Sequence, residues 1–309
     1  MANQQLPLFC QQRDLFEHLF LQRVVALKTL NPGVTHPTQL ITFANGSRWV
    51  TKTVSQENWL GVRRKDDIEV AEQLGRLVEK KMHITYAARS WGQQRRLLTV
   101  DKRWMLFIPY CKGETLEYCS RQQAFRLGGL LAALHQLLLP KDQAKPLPMV
   151  KLPVACELPS FCFEQMNRCN DNYWYQAEHW VTSHRDMHLA NIIWRTNKTP
   201  YLIDWESSGL IHPFVELIGL ALNCAGLAKG RFNSGHFSAS LAGYQAVAGY
   251  LPAESPILWQ LCYQSWLLWL SYIVKAGQNA ELHHTLQAIA LLRKRMLSLQ
   301  AAYHVVSRR

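Results

Sequence analysis

The first third of the chain alternates between helical and extended patterns of apolar residues. Residues 14–30 and 66–80 repeat apolar side chains with a helical period, which predicts two helices. Between them lie two short β-prone runs, Gln39–Phe43 and Arg48–Val54, separated by Ala44–Ser47. The Asn-Gly pair in that separator is the strongest short-range signal for a β-hairpin. We therefore predict that a helix, a hairpin and a second helix open the fold.

Two more extended runs follow, at residues 96–100 and 104–109. Together with the hairpin they predict a small antiparallel sheet. A lobe of strands with few helices would then occupy residues 1–110, and the chain would leave it near Tyr110.

The rest of the chain is mostly helical. Residues 120–139 show a strong helical pattern that begins with a capping box, Ser120 and Gln123. The five prolines within residues 140–160, which we call the proline segment, predict a loop whose course the sequence does not reveal. From Pro213 the pattern is helical to the end. The predicted fold class is thus α+β, with a larger, mostly α lobe over residues 111–309.

Composition indicates a folded protein without a membrane span. Apolar residues make up 48% of the chain and charged residues 18%, which argues against disorder. The most apolar stretch, Ile257–Val274, is interrupted by polar residues, so we expect a buried helix there. The eight cysteines lack a C-x-x-C pair, and no secretory signal precedes them, so free thiols in a cytoplasmic protein are expected.

The net charge of +12 favours partners that carry phosphate or other negative charge. Its basic residues are dispersed in pairs and triplets, which is typical of solvated faces rather than of a nucleic-acid tract. No nucleic-acid partner is expected. A non-catalytic module that binds nucleotides or polyanions remains an alternative from a different functional class, and a steep salt dependence of binding would favour it.

The segment Ser183–Glu206, which we call the motif segment, has the most specific chemistry. Asp186, Asn191 and Asp204 flank two short apolar runs that predict a β-hairpin, and all three would lie at the same end of it. Asn191 and Asp204 suit a hard cation such as Mg²⁺. Asp186 remains to accept a proton from an attacking hydroxyl. The arrangement suits phosphoryl transfer.

The pattern H-R-D-x-x-x-x-N followed by I-D-W-E resembles the catalytic and metal-binding segments of the aminoglycoside phosphotransferase / choline kinase family. The resemblance implies a bilobal, protein-kinase-like fold, ATP as the donor and a hydroxyl of a small molecule as the acceptor. Within the family the chain is most similar to bacterial thiamine kinases, through NPGVTHPTQLITFANGSRWVTK, the D-x-H-x-x-N of the motif segment, and LIDWESSG.

Lys52 is the candidate for binding the α- and β-phosphates of a nucleotide. It lies in the second strand of the first hairpin, where alternation puts it on the same face as Val50. The resemblance implies the same assignment, although exposed strand lysines are common. A carboxylate on the next predicted helix would hold this lysine. Glu69 is favoured over Glu72, and both are also compatible with solvated helix positions.

The resemblance assigns two further regions to the nucleotide. Gly33 and Thr35 precede the first hairpin strand, where the family carries a loop over the phosphates, although an ordinary turn fits equally well. Pro109, Tyr110 and Cys111 occupy the place of the family's hinge, which would contact adenine through backbone groups.

Residues beside Asp186 are candidates for supporting roles. His184 would orient the loop by hydrogen bonds, and zinc binding by His184 and His188 is disfavoured because their spacing requires a helix. Arg185 would contact the transferred phosphoryl group or pair with a carboxylate, and the sequence does not separate these. Glu216, with Pro213, matches a family position that braces the catalytic loop, where Asp is usual.

The acceptor is the least determined part. Thiamine is the best match, while choline, ethanolamine, an amino sugar or an aminoglycoside stay open. A protein kinase is disfavoured because D-W-E replaces D-F-G and neither A-P-E nor a glycine-rich loop is present. An aromatic stripe at helical spacing would suit an organic cation, and equally a plain core; its members are Trp259, Tyr263, Trp266, Trp269 and Tyr272.

Overall fold

The computed structural model describes residues 8–30, 38–91, 93, 95–100, 103–154, 157–196 and 198–308, with the backbone alone for residues 8–11. The helices of this part of the chain are α1 Leu8–Phe20, α2 Lys65–Met82, α3 Arg121–Gln136, α4 Ser160–Asp171, α5 Pro213–Cys224, α6 Ser234–Ala248, α7 Pro256–Leu261, α8 Gln264–Lys275 and α9 Asn279–Ser307. The strands are β1 Val24–Thr29, β2 Thr38–Phe43, β3 Arg48–Val54, β4 Glu57–Asn58, β5 Gly61–Val62, β6 Leu98–Val100, β7 Arg103–Pro109, β8 Val181–Ser183, β9 Ile192–Thr196, β10 Thr199–Leu202 and β11 Gly209–Ile211.

The chain divides into two compact units. The first comprises the described parts of Met1–Gln56 and Tyr86–Cys111, and the second those of Glu57–Thr85 and Lys112–Arg309. Helix α2 thus belongs to the second unit, although the sequence analysis included it in the first lobe. The division into functional lobes at residues 1–110 and 111–309 stays a prediction, because compactness alone does not define a functional lobe.

The first unit is an antiparallel sheet covered by α1. Its strand order is β1-β2-β3-β7-β6. The predicted hairpin is confirmed as β2 and β3, and Gly46 adopts the positive φ of +81° that its turn requires. Phe16 of α1 packs edge-on against Phe107 of β7, and both side chains are fully buried.

The helix predicted over residues 14–30 is wrong in its second half. Helix α1 ends at Phe20, and Val24–Thr29 forms the edge strand β1, paired with β2. Apolar residues there fit a helical period by spacing, but the backbone groups of this run bond to β2 instead. Tertiary pairing therefore overrides the local pattern.

The second unit contains the larger core, built mainly from helices α3 and α5–α9. The capping box predicted for α3 is confirmed, since Ser120 Oγ accepts from the Gln123 N–H at 3.2 Å and Gln123 Oε1 accepts from the Ser120 N–H at 2.8 Å. The single helix expected at Ile257–Val274 is two helices, α7 and α8, with a turn at Cys262 and Tyr263. None of the described helices has both the length and the hydropathy needed to cross a membrane.

Helices α3 and α6 cross at backbone contact. A Cβ atom added to Gly128 would lie 1.9 Å from the Ser240 carbonyl oxygen, and one added to Gly243 would lie 1.8 Å from the Phe125 carbonyl oxygen. No side chain fits in either gap. Glycine at both positions is therefore a condition of this crossing.

The described residues of the proline segment before α4 form turns and one isolated bridge, between Pro146 and Leu210, and are held by side chains of α4, α8 and the chain after α4. These bonds join Asn170 to the N–H and C=O of Val150, Tyr173 to the Leu147 carbonyl, Gln264 to the Pro148 carbonyl, and Ser271 to the Lys151 carbonyl. Polar backbone groups that have no strand partner are thus satisfied by side chains.

Candidate active site

The motif segment forms the predicted hairpin. The predicted site residues lie at its open end, opposite the turn that connects the two strands. Ile192 of β9 pairs with Leu202 of β10, and the Asn191 carbonyl accepts the Ile203 N–H at 3.0 Å. Asn191, just before β9, and Asp204, just after β10, therefore lie at the same end of the hairpin. Asp204 adopts a left-handed backbone conformation with φ +69°, which aspartate tolerates better than most residues.

Asp186 lies beside Asn191. The Asn191 Nδ2 group donates to the Asp186 backbone oxygen at 3.0 Å and to its carboxylate Oδ2 at 3.2 Å. The amide nitrogen is thus directed at Asp186, and the amide oxygen is the atom that can ligate a cation. The Asp186 side chain is about a quarter exposed, at 28%, so its carboxylate is accessible to solvent.

The donor set at this end of the hairpin suits Mg²⁺. Asn191 and Asp204 supply oxygen atoms, and the described residues contain no cluster of three or more histidines, cysteines and acidic residues that would favour a metal held entirely by protein. Mg²⁺ commonly takes one or two protein oxygens and completes its shell with water and phosphate. The residues present therefore fit the expected ion.

His184 connects the two sides of the site. Its side chain is fully buried, its Nε2–H donates to the Ile203 carbonyl at 2.9 Å, and its Nδ1 accepts the Asp186 N–H at 3.3 Å. Burial lowers the pKa of His184, so the ring is neutral at neutral pH. One neutral imidazole thus fixes Asp186 relative to the residue before Asp204.

Arg185 turns away from Asp186 into the protein. Its guanidinium donates to three main-chain carbonyls, those of Ser207 at 2.5 Å, Lys145 at 2.8 Å and Ser208 at 3.2 Å. Burial lowers the pKa of Arg185 to about 9, which leaves it charged at neutral pH. Gly209 provides the room, since a Cβ there would lie 2.6 Å from the Arg185 Cζ. These bonds favour a structural role over contact with a phosphoryl group or a carboxylate.

Glu216 braces the loop from α5, as the sequence predicted. Its Oε1 accepts the Arg185 backbone N–H at 2.6 Å, and its Oε2 lies 2.8 Å from His135 Nε2. Burial by itself raises the pKa of Glu216, but the hydrogen bonds and the charge of its neighbours outweigh it and hold the pKa below its usual value. Glutamate in place of aspartate still reaches the loop.

Sequence reasoning missed the contribution of Trp205. Its ring packs edge-on against His184 at 4.8 Å between centroids, and its Nε1–H donates to Thr85 Oγ1 at 2.9 Å. A Cβ on Gly75 of α2 would lie 2.9 Å from the Trp205 ring. The D-W-E pattern was a signal that an aromatic follows the metal residue, but its contacts with α2 depend on the fold.

His188 and His135 of α3 lie in different surroundings. His188 Nε2 lies 3.6 Å from Asp186 Oδ1 at a partly exposed position. His135, which sequence reasoning also missed, is buried against Glu216. Nothing near His135 in sequence distinguishes it from an ordinary core residue.

The residues predicted to bind nucleotide lie mostly in the first unit. Lys52 is a buried residue of β3, and Tyr110 stacks under the Arg48 guanidinium at 4.2 Å. Pro109 ends β7 and Cys111 is buried. Gly33 and Thr35 lie outside the described residues.

The two candidate carboxylates for Lys52 lie on α2 of the second unit. Glu72 is buried, at 5% exposure, while Glu69 is half-buried. The pairing of Lys52 with Glu69 or Glu72 stays a prediction, as do the roles of all residues assigned to the nucleotide.

Several solved structures share this fold. The chain is similar to choline kinase LicA from Streptococcus pneumoniae, with 16% identity, a TM-score of 0.64, and coverage of 92% of this chain and 99% of that one. It is similar to spectinomycin phosphotransferase APH(9)-Ia, solved with ADP and spectinomycin, with 10% identity, a TM-score of 0.60, and coverage of 96% and 93%. An ethanolamine kinase from Plasmodium vivax shares 10% identity, with a TM-score of 0.59 and coverage of 90% and 84%.

These likenesses confirm the predicted α+β, kinase-like fold. No curated protein matches the sequence. The model of the APH phosphotransferase enzyme family matches residues 28–250, which is well over half of the chain. The chain therefore belongs to the APH phosphotransferase enzyme family.

Proposed function

We propose that this phosphotransferase moves the γ-phosphate of ATP, bound with Mg²⁺, to a hydroxyl group of a small metabolite. The observation that carries this proposal is the convergence of Asp186, Asn191 and Asp204 at the open end of one hairpin. Kinase chemistry consists mainly of positioning and charge neutralisation, and this set of side chains supplies both.

Each residue of the hairpin end has a separate task. Asp186 accepts the proton of the acceptor hydroxyl while the new oxygen–phosphorus bond forms and the bond to ADP breaks. Asn191 and Asp204 hold Mg²⁺, which would neutralise charge on the phosphates when bound. His184 and Arg185 act through the backbone, since the hydrogen bonds of both side chains go to main-chain groups.

The nucleotide would be bound largely by the first unit. Lys52 is proposed to contact the α- and β-phosphates, held by Glu69 or, given its deeper burial, Glu72. Gly33 and Thr35 are proposed to contact phosphate, and the backbone of Pro109, Tyr110 and Cys111 the adenine.

A small hydroxylated metabolite with a single organic cation, such as thiamine, is the proposed acceptor. Three aromatic side chains of α8 are only half-buried, namely Trp266, Trp269 and Tyr272, whereas Trp259 and Tyr263 belong to the core. Aromatic faces attract organic cations. The excess of basic residues disfavours a polycationic aminoglycoside, and choline or ethanolamine is the alternative.

The proposal is tested by ADP release from purified protein with Mg·ATP and a panel of hydroxylated metabolites, thiamine and choline foremost. Asp186→Ala should abolish turnover and leave nucleotide affinity nearly intact, while Asp204→Ala should abolish turnover and weaken Mg·ATP binding. The exposed Asp142→Ala serves as the matched control and should retain activity. Unchanged turnover in either site variant would refute the role assigned to that residue.

A further inference from the structure

A line of buried polar groups leads from the motif segment into the helices behind it. Beyond Glu216, His135 of α3 approaches Tyr244 of α6, with 2.9 Å between His135 Nδ1 and the phenol oxygen. His135, Glu216 and Tyr244 are each at most 5% exposed. The proposed chemistry uses neither His135 nor Tyr244, so their burial together requires an explanation.

The His135 ring is held at both of its nitrogens. The Glu216 carboxylate can only accept, so His135 Nε2 carries the proton at the 2.8 Å contact. On the other side of the ring, Nδ1 lies 2.9 Å from the Tyr244 hydroxyl. Tyr244 thus fixes the orientation of the ring whose Nε2–H is directed at Glu216.

The crossing of α3 and α6 sets the distance between these side chains. Gly243 adjoins Tyr244, and Gly128 lies two helical turns before His135 on the same face of α3. Because the two backbones touch at Gly128 and Gly243, the phenol reaches the imidazole without an intervening water. The hydrogen bond is built into the closest helix contact described above.

We propose that Tyr244 is a positioning residue for phosphoryl transfer. Its hydroxyl holds the His135 ring in place, His135 orients Glu216, and Glu216 holds the Arg185 N–H and thereby the backbone that carries Asp186. Tyr244 touches no reacting atom. The inference rests on the proposed function, because it assigns Asp186 a catalytic task.

Tyr244→Phe tests this directly, since it keeps the ring and removes only the donor. In ¹⁵N-labelled full-length protein, the wild-type His135 Nε2–H should exchange slowly with water, with its signal assigned by its loss in His135→Gln. Tyr244→Phe should speed this exchange, because the ring is then held on one side only. Its kcat should fall roughly ten- to hundredfold, with the KM for ATP little changed.

Tyr303→Phe is the matched control for loss of a buried phenol. Tyr303 is also buried, and its hydroxyl donates to the Pro252 carbonyl, away from the motif segment. This variant should lose stability but keep the wild-type kcat. In a His135→Gln background, Tyr244→Phe should cause little additional loss, because the ring that it orients no longer exists.

The outcomes separate this inference from the proposed function. No turnover by wild-type protein with any acceptor would refute both. Wild-type turnover combined with equal kcat losses in Tyr244→Phe and Tyr303→Phe would refute the inference alone. Unchanged exchange of the His135 Nε2–H in Tyr244→Phe would also overturn it.

Discussion

The motif segment and the proline segment are both tied down by hydrogen bonds from elsewhere in the second unit, but the bonds differ in kind. In the motif segment, buried charged groups make the bonds, with the Glu216 carboxylate on a backbone N–H and the Arg185 guanidinium on three carbonyls. In the proline segment, apart from the Lys145 carbonyl that Arg185 binds, neutral amides and hydroxyls of Asn170, Tyr173 and Ser271 bind backbone groups.

This difference predicts unequal rigidity. Hydrogen bonds to charged groups contribute roughly twice as much as neutral ones. The segment with the proposed chemistry is therefore the more strongly fixed, and the proline segment is the more adaptable. The two meet where Arg185 binds the Lys145 carbonyl, so variants on either side of that contact can measure the contrast.

Arg185→Met should have the largest effect. It leaves the carbonyls of Ser207 and Ser208 without the guanidinium donor in a buried site and removes one of the two donors to the Lys145 carbonyl, and the free energy of unfolding should fall by about 3 kcal/mol or more. Urea denaturation measures this. The control Arg195→Met removes an exposed arginine near the end of β9 and should cost little. Equal losses would contradict the comparison.

His212→Asn should change how stability depends on pH, by way of the helix that carries Glu216. His212 Nδ1 accepts the Phe214 N–H at the start of α5. Burial, aided by the nearby His179 and His135, lowers the pKa of His212 to about 4. The folded protein thus keeps the neutral ring, while unfolded chains take up a proton below the ordinary value of 6.5.

The contribution of His212 to the free energy of unfolding is therefore fully present above pH 6.5 and is lost as the pH falls toward 4. Asparagine also caps helices but does not titrate. As the pH falls from 7 to 5, the free energy of unfolding of His212→Asn should rise by about 2 kcal/mol relative to that of the wild type. Thermal or urea unfolding at both pH values measures this, with the exposed His283→Asn as control. A parallel pH dependence of wild type and His212→Asn would exclude the assigned pKa.

Tyr173→Phe should have an intermediate effect, because it removes one neutral bond to the proline segment. The lost bond to the Leu147 carbonyl should cost about 1 kcal/mol of unfolding free energy. Tyr250→Phe, at an exposed tyrosine, is the control and should cost almost nothing. A loss as large as that of Arg185→Met would show that the proline segment is held as firmly as the motif segment.

Lys145→Met should have the smallest effect. Lys145 Nζ pairs with Asp67 Oδ1 at 2.6 Å, but the lysine side chain is about half exposed, and such pairs contribute at most about 1 kcal/mol. The loss should shrink further at high salt. The exposed Lys141→Met is the control. A large loss that salt does not reduce would mean that this pair is part of the rigid region.

The elements that the sequence predicted are those in which neighbouring residues determine the structure. The Asn45-Gly46 turn, the Ser120 capping box and the hairpin of the motif segment depend on local geometry, and each is present. The sequence could predict that Asp186, Asn191 and Asp204 lie at one end of a hairpin, because all three belong to or adjoin the same two strands.

The elements that escaped prediction depend on contacts between distant parts of the chain. Strand β1 is defined by pairing with β2, and the course of the proline segment by side chains of α4 and α8. Tyr244 reaches His135 across 109 positions of sequence. Such partners leave no local signal, because either residue alone fits an ordinary helix interior.

Protein kinases commonly order the stretch after their metal-binding aspartate by attaching a phosphate that pairs with arginine. Here the Arg185 guanidinium already binds the Ser207 and Ser208 carbonyls, just beyond Asp204. Main-chain oxygens of the stretch itself take the place of an added anion as partners of this arginine. The stretch should therefore keep its backbone conformation whenever the second unit is folded, independent of a covalent modification.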